Sequence, residues 1–306
     1  MRTGRIHYVT YFDFTHCNLA VASMISLLRT QRFDRVTMIV PEYDPDDPRA
    51  GVFSRMVGEI VGMDPRFATV PASRIVAECA DPTVQQLLDQ SRSTLLSPAH
   101  ASVDALRACL HPWFREPVVW FDVDMLFTGD VSDVFGLVSH VRVAAAPDLI
   151  STLGDRRGSE IYGRFTTFVN DREPGAMRSA VARNIGFMVL AGDTREEFSA
   201  GFRLALDFLD EERDPIASFS VGQLAWNYVM EKVRSATLEQ DYNMPSACFP
   251  VSWDSGPEGT GEAQVRVRHY VGVEQKKRMT LDFALEFADA GRGRRTPDAQ
   301  PVPTGR

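Results

Sequence analysis

Hydrophobic and polar positions follow two rhythms along this chain, and the points where one gives way to the other lay out its elements. Short apolar runs rich in β-branched and aromatic residues recur at Ile6–Thr10 (IHYVT), Val36–Val40 (VTMIV) and Val118–Phe121 (VVWF). Runs this short and this continuous are the mark of strands buried on both faces of a sheet. Between the first two, Leu19, Val21, Ala22, Met24, Ile25, Leu27 and Leu28 follow a helical repeat with one wide apolar face. Strand, helix and strand at this spacing make a βαβ unit, the start of a parallel sheet. The alternation continues with a helix around Val52–Val61, a short strand ending near Val70 and a mostly helical stretch over Thr83–Leu110. Further strands are expected at Val141–Ala146, Ile185–Leu190 and Gln264–Tyr270, and helices at Phe198–Leu209 and Val221–Val233. Leu149–Met177, rich in Gly, Arg and Asp, reads as a long loop or small helical excursion. From Gly291 the composition is that of an unstructured tail. The pattern predicts an α/β chain with a parallel sheet flanked by helices, as one large domain or two small ones, and a tail over 291–306.

The chemistry concentrates at Pro117–Asp130, PVVWFDVDMLFTGD. Asp122 and Asp124 follow the apolar run one residue apart, so an extended backbone would point both carboxylates one way and Val123 back toward the core. Paired carboxylates at a buried strand end repel each other unless a cation lies between them. Hard oxygen ligands suit magnesium or manganese, ions that also hold substrate phosphates. The same short pattern occurs in loops that bind nothing. Asp13 sits just beyond the first strand, where open α/β sheets bind ligands, and its plain structural role would be a helix N-cap.

Composition narrows the classes. The formal charge of -8 over 306 residues argues against general nucleic-acid binding. A phosphorylated ligand would need positive charge gathered locally, from a metal ion and a few Lys or Arg. The four scattered cysteines show no metal or disulfide spacing, and MRTGRIHYVT carries no secretory apolar region. No apolar run reaches membrane-spanning length. A cytoplasmic protein is expected, with peripheral contact at the inner membrane face left open.

Four segments then share one resemblance. VVWFDVDMLFTGDVSDVF, the strand segment Asn184-Ile185-Gly186-Phe187-Met188-Val189-Leu190, the helix start Gly222-Gln223-Leu224-Ala225-Trp226-Asn227 and the late His269-Tyr270-Val271-Gly272 occur in that order. Together they resemble the GT-A fold glycosyltransferases, nearest to the retaining family 8 that includes glycogenin and bacterial lipopolysaccharide galactosyltransferases. The matches span about Thr10 to Lys277. The resemblance implies one α/β domain over residues 1–290, with a mixed, mainly parallel sheet flanked by helices, and a bacterial hexosyltransferase that takes a UDP-sugar as donor and Mn2+ (or Mg2+) as cofactor. Its acceptor, whether a small molecule, a glycan or a lipid-linked sugar, is unidentified, and a homo-oligomer is left open. By the same resemblance Asp122, Asp124 and His269 are the metal ligands. Thr10, Tyr11 and Asp13 meet the nucleoside, and Val123, Gly272 and Lys276 complete the donor contacts. Asn184 faces the donor sugar or reaction centre, Gln223 lies beneath the anomeric carbon, and Asp148 contacts the acceptor.

Two departures from the family pattern bear on this. Gly222 stands where the family has Asp, which removes a carboxylate near the sugar. Gln275 stands where the family has Lys, with Lys276 and Lys277 following; Lys276 is the expected diphosphate partner. Competing readings are a catalytically inactive sugar-nucleotide-binding module, a sugar-phosphate nucleotidyltransferase, and a self-glucosylating primer using Tyr162. The loop TYFDFTHCN lacks the Gly-rich, basic character a nucleotidyltransferase would need.

Overall fold

The computed structural model describes residues 5–79, 81–91, 98–148, 156–179, 181–212, 221–245, 265–271 and 273–293. The chain opens with β1 (His7–Tyr11), α1 (Cys17–Thr30), β2 (Arg35–Val40), α2 (Pro48–Gly62) and β3 (Phe67–Pro71). Asp47 caps α2 by accepting from the Arg49 backbone N–H, and Pro48 follows in the first turn, where its missing N–H costs nothing. Helices α3 (Ala72–Cys79), α4 (Pro82–Ser91) and α5 (Pro98–Phe114) lead into β4 (Val118–Phe121) and the short β5 (Met125–Phe127). The second half runs β6 (Val143–Pro147), α6 (Arg156–Arg172), β7 (Arg183–Leu190), α7 (Arg195–Glu212), α8 (Val221–Lys232) and β8 (Ser235–Thr237). It closes with β9 (Met244–Pro245), β10 (Val267–His269) and α9 (Val273–Gly293).

The main sheet has seven strands in the order β3-β2-β1-β4-β7-β6-β8. β1 runs parallel to both β2 and β4, whereas β7 is antiparallel to β4 and to β6. A second sheet of three strands, β5-β10-β9, lies off the end of β4. Strand alternation divides the core between the two faces of the main sheet. Val118, Trp120 and Met188 face the side covered by α5, α7 and α8, where Phe202 and Trp226 are fully buried. Val119, Phe121 and Phe187 face Tyr8, Met24 and Phe127 on the other.

The segment read as a long loop or small helical excursion holds a helix, α6, because Ile161, Phe165, Phe168 and Val169 recur at helical spacing and are buried. Glycines and charges around that stripe dilute it in the sequence; residues 149–155 of the same segment lie outside the described residues. The C-terminal helix α9 continues to Gly293, past the boundary expected at Gly291, and the rest of the expected tail lies outside the described residues. The three described cysteines, Cys17, Cys79 and Cys109, are free thiols. Among the described residues no helix is long and apolar enough to cross a membrane.

Candidate active site

β1 pairs on one side with β2, which continues to β3, and on the other with β4, so the connections diverge at the β1/β4 seam. In open α/β sheets the carboxyl ends of the strands at such a seam form a ligand crevice. Tyr11 and Asp13 lie at that end of β1, and Asp122 and Asp124 at that end of β4. The two carboxylates do not converge through the strand pleat, because β4 stops at Phe121 and residues 122–124 form a turn. Val123, between them, is buried in the core as expected, and it also borders the crevice. The antiparallel β7 brings its start beside the end of β4, and the Asp122 N–H donates to the Gly186 carbonyl at 2.8 Å.

Asp122, Asp124 and His269 each offer a ligand atom, and these atoms lie within 4.8 Å of one another. Asp122 Oδ1 accepts from Arg107 Nη2 at 2.8 Å and from Trp120 Nε1 at 3.0 Å. Asp124 is buried; its Oδ2 meets Lys276 Nζ at 3.0 Å. Its Oδ1 has no hydrogen-bond partner, and His269 Nε2 stands 3.3 Å away without hydrogen-bond geometry. Burial opposes charge on the Asp124 carboxylate, but His269 and Lys276 together hold its pKa well below the carboxylate range. Burial likewise opposes charge on His269, and Asp124, aided by Asp122 and Asp148, overrides it and raises the imidazole pKa.

A chain of amides orients that imidazole. Asn184 Oδ1 accepts from the Gly186 N–H at 2.8 Å and from Asn243 Nδ2 at 2.7 Å. Asn243 Oδ1 is therefore left as the acceptor for His269 Nδ1, 2.9 Å away. The proton this requires on Nδ1 leaves Nε2 as the atom aimed at Asp124, the arrangement a metal-binding histidine needs. Gly186 is constrained by the same packing: a Cβ there would lie 2.7 Å from His269 Cε1 and 2.7 Å from Met125 Cε. Two carboxylates, an oriented imidazole nitrogen and a buried unsatisfied oxygen fit a divalent cation of the magnesium or manganese kind.

Asp13, Tyr11, Asp122, Val123, Asp124 and Lys276 line one cavity of about 150 Å³. That is below the ~300 Å³ of typical ligand sites, so a nucleotide sugar could lie only partly within it. Asp13 also serves as a cap: its Oδ1 accepts from the Thr15 N–H, the Thr15 hydroxyl and His16 Nδ1. The His16 bond is the main reason its pKa is depressed. Burial pushes the Tyr11 phenol up to about 12. Lys276 and Lys277 part company, since Lys277 turns outward to Glu274 at 2.8 Å. Thr10 is fully buried in β1 and outside the cavity lining; Asn184, Asp148 and Gln223 also lie outside that lining. Gln223 Nε2 donates to Asp148 Oδ2 at 2.5 Å. Gly272 lies outside the described residues.

Three residues of this site went unforeseen. Asn243 comes from an irregular turn with no sequence signal. Asp104 and Arg107, both on α5, form a buried pair at 2.5 Å, and Arg107 lies over the Trp120 ring at 4.6 Å. Their i,i+3 spacing on a helix that ends before β4 was the one available hint. Burial pushes the Asp104 carboxyl up to about 6, with Arg107 opposing and Asp122 adding to the rise.

No protein-family model matches this chain, and no curated protein sequence matches it significantly. Solved structures do. The apo structure of the bifunctional glycosyltransferase WbbM shares 14% identity and a TM-score of 0.52 over 94% of this chain, which spans about half (52%) of WbbM. Mouse xyloside xylosyltransferase 1 shares 11% identity and a TM-score of 0.52 over 86% of this chain and 97% of its own. Galactosyltransferase LgtC, solved with donor and acceptor sugar analogs, shares 10% identity and a TM-score of 0.52 over 90% of this chain and 96% of its own. The seven-stranded, mainly parallel sheet and its flanking helices, shared in three dimensions with these proteins, give this chain the GT-A fold of glycosyltransferases such as LgtC.

Proposed function

We propose that this protein transfers a sugar from a nucleotide sugar, UDP-hexose in the first instance, to an acceptor hydroxyl with retention of configuration. The observation that carries the reading is the convergence of Asp122, Asp124, His269 and Lys276 on one point beside the seam cavity. Asp122, Asp124 and His269 would hold Mn2+ (or Mg2+), which supplies Lewis-acid charge where the diphosphate departs. Lys276, now bound to Asp124, can turn its ammonium to the same diphosphate and add a charge-assisted hydrogen bond as negative charge grows there. Tyr11 and Asp13 form the nucleoside end of the site, and Val123 borders the donor. In this reading Thr10 acts from within β1 and sets the position of Tyr11.

Asn184, Gln223 and Asp148 belong to the sugar and acceptor side. Gln223 has its Nε2 engaged by Asp148, so its amide oxygen is the atom left for the sugar. An uncharged amide oxygen can stabilise positive charge on an anomeric carbon but is a weak covalent nucleophile. We therefore assign same-face attack through an oxocarbenium-like state, with the leaving phosphate oxygen accepting the proton of the acceptor hydroxyl. A trapped glycosyl adduct on Gln223 would refute that route. We place the reaction in the cytoplasm and assign it to residues 1–290 as one unit.

The test is calorimetric titration of UDP and of GDP into the purified protein, with and without Mn2+, beside Asp124→Ala. UDP binding that requires Mn2+ and weakens at least ~100-fold in the variant supports the reading. Metal-independent binding, or none of either nucleotide, refutes it.

A further inference from the structure

Position 222, where the sequence lacks the carboxylate expected of its family, is not an empty space. A Cβ built on Gly222 would lie 1.8 Å from Oδ2 of Asp104 and 2.3 Å from its Cγ. No side chain can stand at 222 while Asp104 keeps its place. The carboxylate itself has come from another element, α5, and sits against the first turn of α8. The indole of Trp226, one turn further along α8, donates to the Asp104 backbone carbonyl at 3.0 Å and fixes the two helices in this register.

The position of this carboxylate is a ligand-facing one. Asp104 lines the same cavity as Asp122, Asp124 and Lys276. Its Oδ1 takes the Arg107 Nη1 bond at 2.5 Å, and Arg107 Nη2 reaches on to Asp122 at 2.8 Å. Among the described residues no donor reaches its Oδ2, although the group is only 8% exposed. With Oδ1 committed to Arg107, Oδ2 is the oxygen of Asp104 left to accept from a ligand in the cavity. Gln223, the next residue after the glycine, is held by Asp148 and does not fill that role.

We infer that Asp104 is a sugar-binding residue, whose Oδ2 accepts hydrogen bonds from hydroxyl groups of the donor's transferred sugar in place of a side chain at position 222. The inference rests on the nucleotide-sugar reading above and adds which carboxylate senses the sugar. A bland alternative is that Asp104 only steadies Arg107 through Oδ1. Asparagine would serve that structural purpose, since its amide oxygen can take the Arg107 bond and its NH2 keeps the shape at the Oδ2 position. It would bind sugar hydroxyls more weakly, because hydrogen bonds to a charged acceptor are the stronger kind.

The experiment measures Mn2+-dependent affinity for UDP, UDP-glucose, UDP-galactose and UDP-N-acetylglucosamine in the wild type, in Asp104→Asn, in Asp104→Ala and in the exchange variant Asp104→Ala/Gly222→Asp. Slow hydrolysis of each donor is followed in parallel. The expected result is that Asp104→Asn keeps UDP affinity within about twofold, while the extra affinity and the hydrolysis of the preferred UDP-sugar fall about tenfold or more. The exchange variant, with its carboxylate returned from α8, should regain part of that loss relative to Asp104→Ala alone. An equal loss for UDP and UDP-sugars, no loss for either, or a wild type with no preference for any UDP-sugar over UDP would each overturn the inference while leaving the UDP reading standing. A wild type that binds no UDP with Mn2+ overturns both.

Discussion

Asn243 joins His269 to Asn184 through both ends of one amide, at 2.9 and 2.7 Å. It touches no reacting atom, yet it determines which imidazole nitrogen carries the proton. Replacing it by leucine keeps the volume and removes both bonds. We expect Asn243→Leu to weaken Mn2+ binding about 10- to 100-fold, read by the free-ion electron paramagnetic resonance signal, whereas Asn243→Asp retains an acceptor for Nδ1 and should lose less. Unchanged affinity in the leucine variant would show that the imidazole is held by other contacts. Gly186 limits the same ring from the opposite direction. Gly186→Ala forces a Cβ to within 2.7 Å of His269 Cε1, so the ring or the strand must shift. The expected outcome is about tenfold weaker Mn2+ binding at nearly unchanged thermal stability, and a variant that binds Mn2+ like the wild type would refute it.

At the scale of elements, His7 ties three strands at the end of the sheet remote from the site. Its Nδ1 meets Glu116, just before β4, at 2.9 Å, and its Nε2 meets the Thr37 hydroxyl of β2 at 2.9 Å. Burial, with a smaller contribution from Arg35, lowers its pKa from 6.5 to about 3 even though Glu116 is adjacent. A neutral ring that donates to Glu116 and accepts from Thr37 satisfies both partners. Because the folded pKa lies below the unfolded one, this stabilisation is complete above pH 6.5 and is lost as pH falls from there toward 3. By pH 5 the loss should be about 2 kcal/mol. Urea unfolding at pH 7.5 and pH 5 should show a larger drop for the wild type than for His7→Gln, and an equal drop would refute the assignment. The antiparallel β7 is the other decisive element. Had it run parallel, Asn184 and Gly186 would stand at the far end of the sheet from Asp122.

Across the whole molecule, the two sheets are held together by aromatic rings. Phe127 of β5 packs edge-on against Tyr8 at 6.0 Å, Phe121 at 5.2 Å and Phe187 at 6.5 Å. β10, which carries His269, pairs only with β5 and β9 among the described strands. Phe127→Ala should cost about 3–5 kcal/mol in urea unfolding and weaken Mn2+ binding as well, since it loosens the strand that supports His269. Full stability loss with unaltered metal affinity would separate the second sheet from the site.

The α/β alternation, the buried strands and the acidic pair at Asp122 and Asp124 were legible in the chain itself. They depend on local patterns: β-branched runs for strands on both faces, helical spacing for their covers, and carboxylates at a strand end. The family resemblance added His269 and Lys276 from distant positions by the order of short motifs. The rest required the fold, for reasons that are physical and specific. A strand's direction is decided by packing and not by its own composition, so the placement of Asn184 by β7 could not be read beforehand. The turn at 122–124 takes the acidic pair out of the strand pleat while Val123 stays in the core. Asn243 acts only through a hydrogen-bond chain assembled by two sheets. Gly222, a missing carboxylate in the sequence, becomes in three dimensions the space that admits Asp104 from another helix, because side chains compete for volume with neighbours that the sequence does not place beside them.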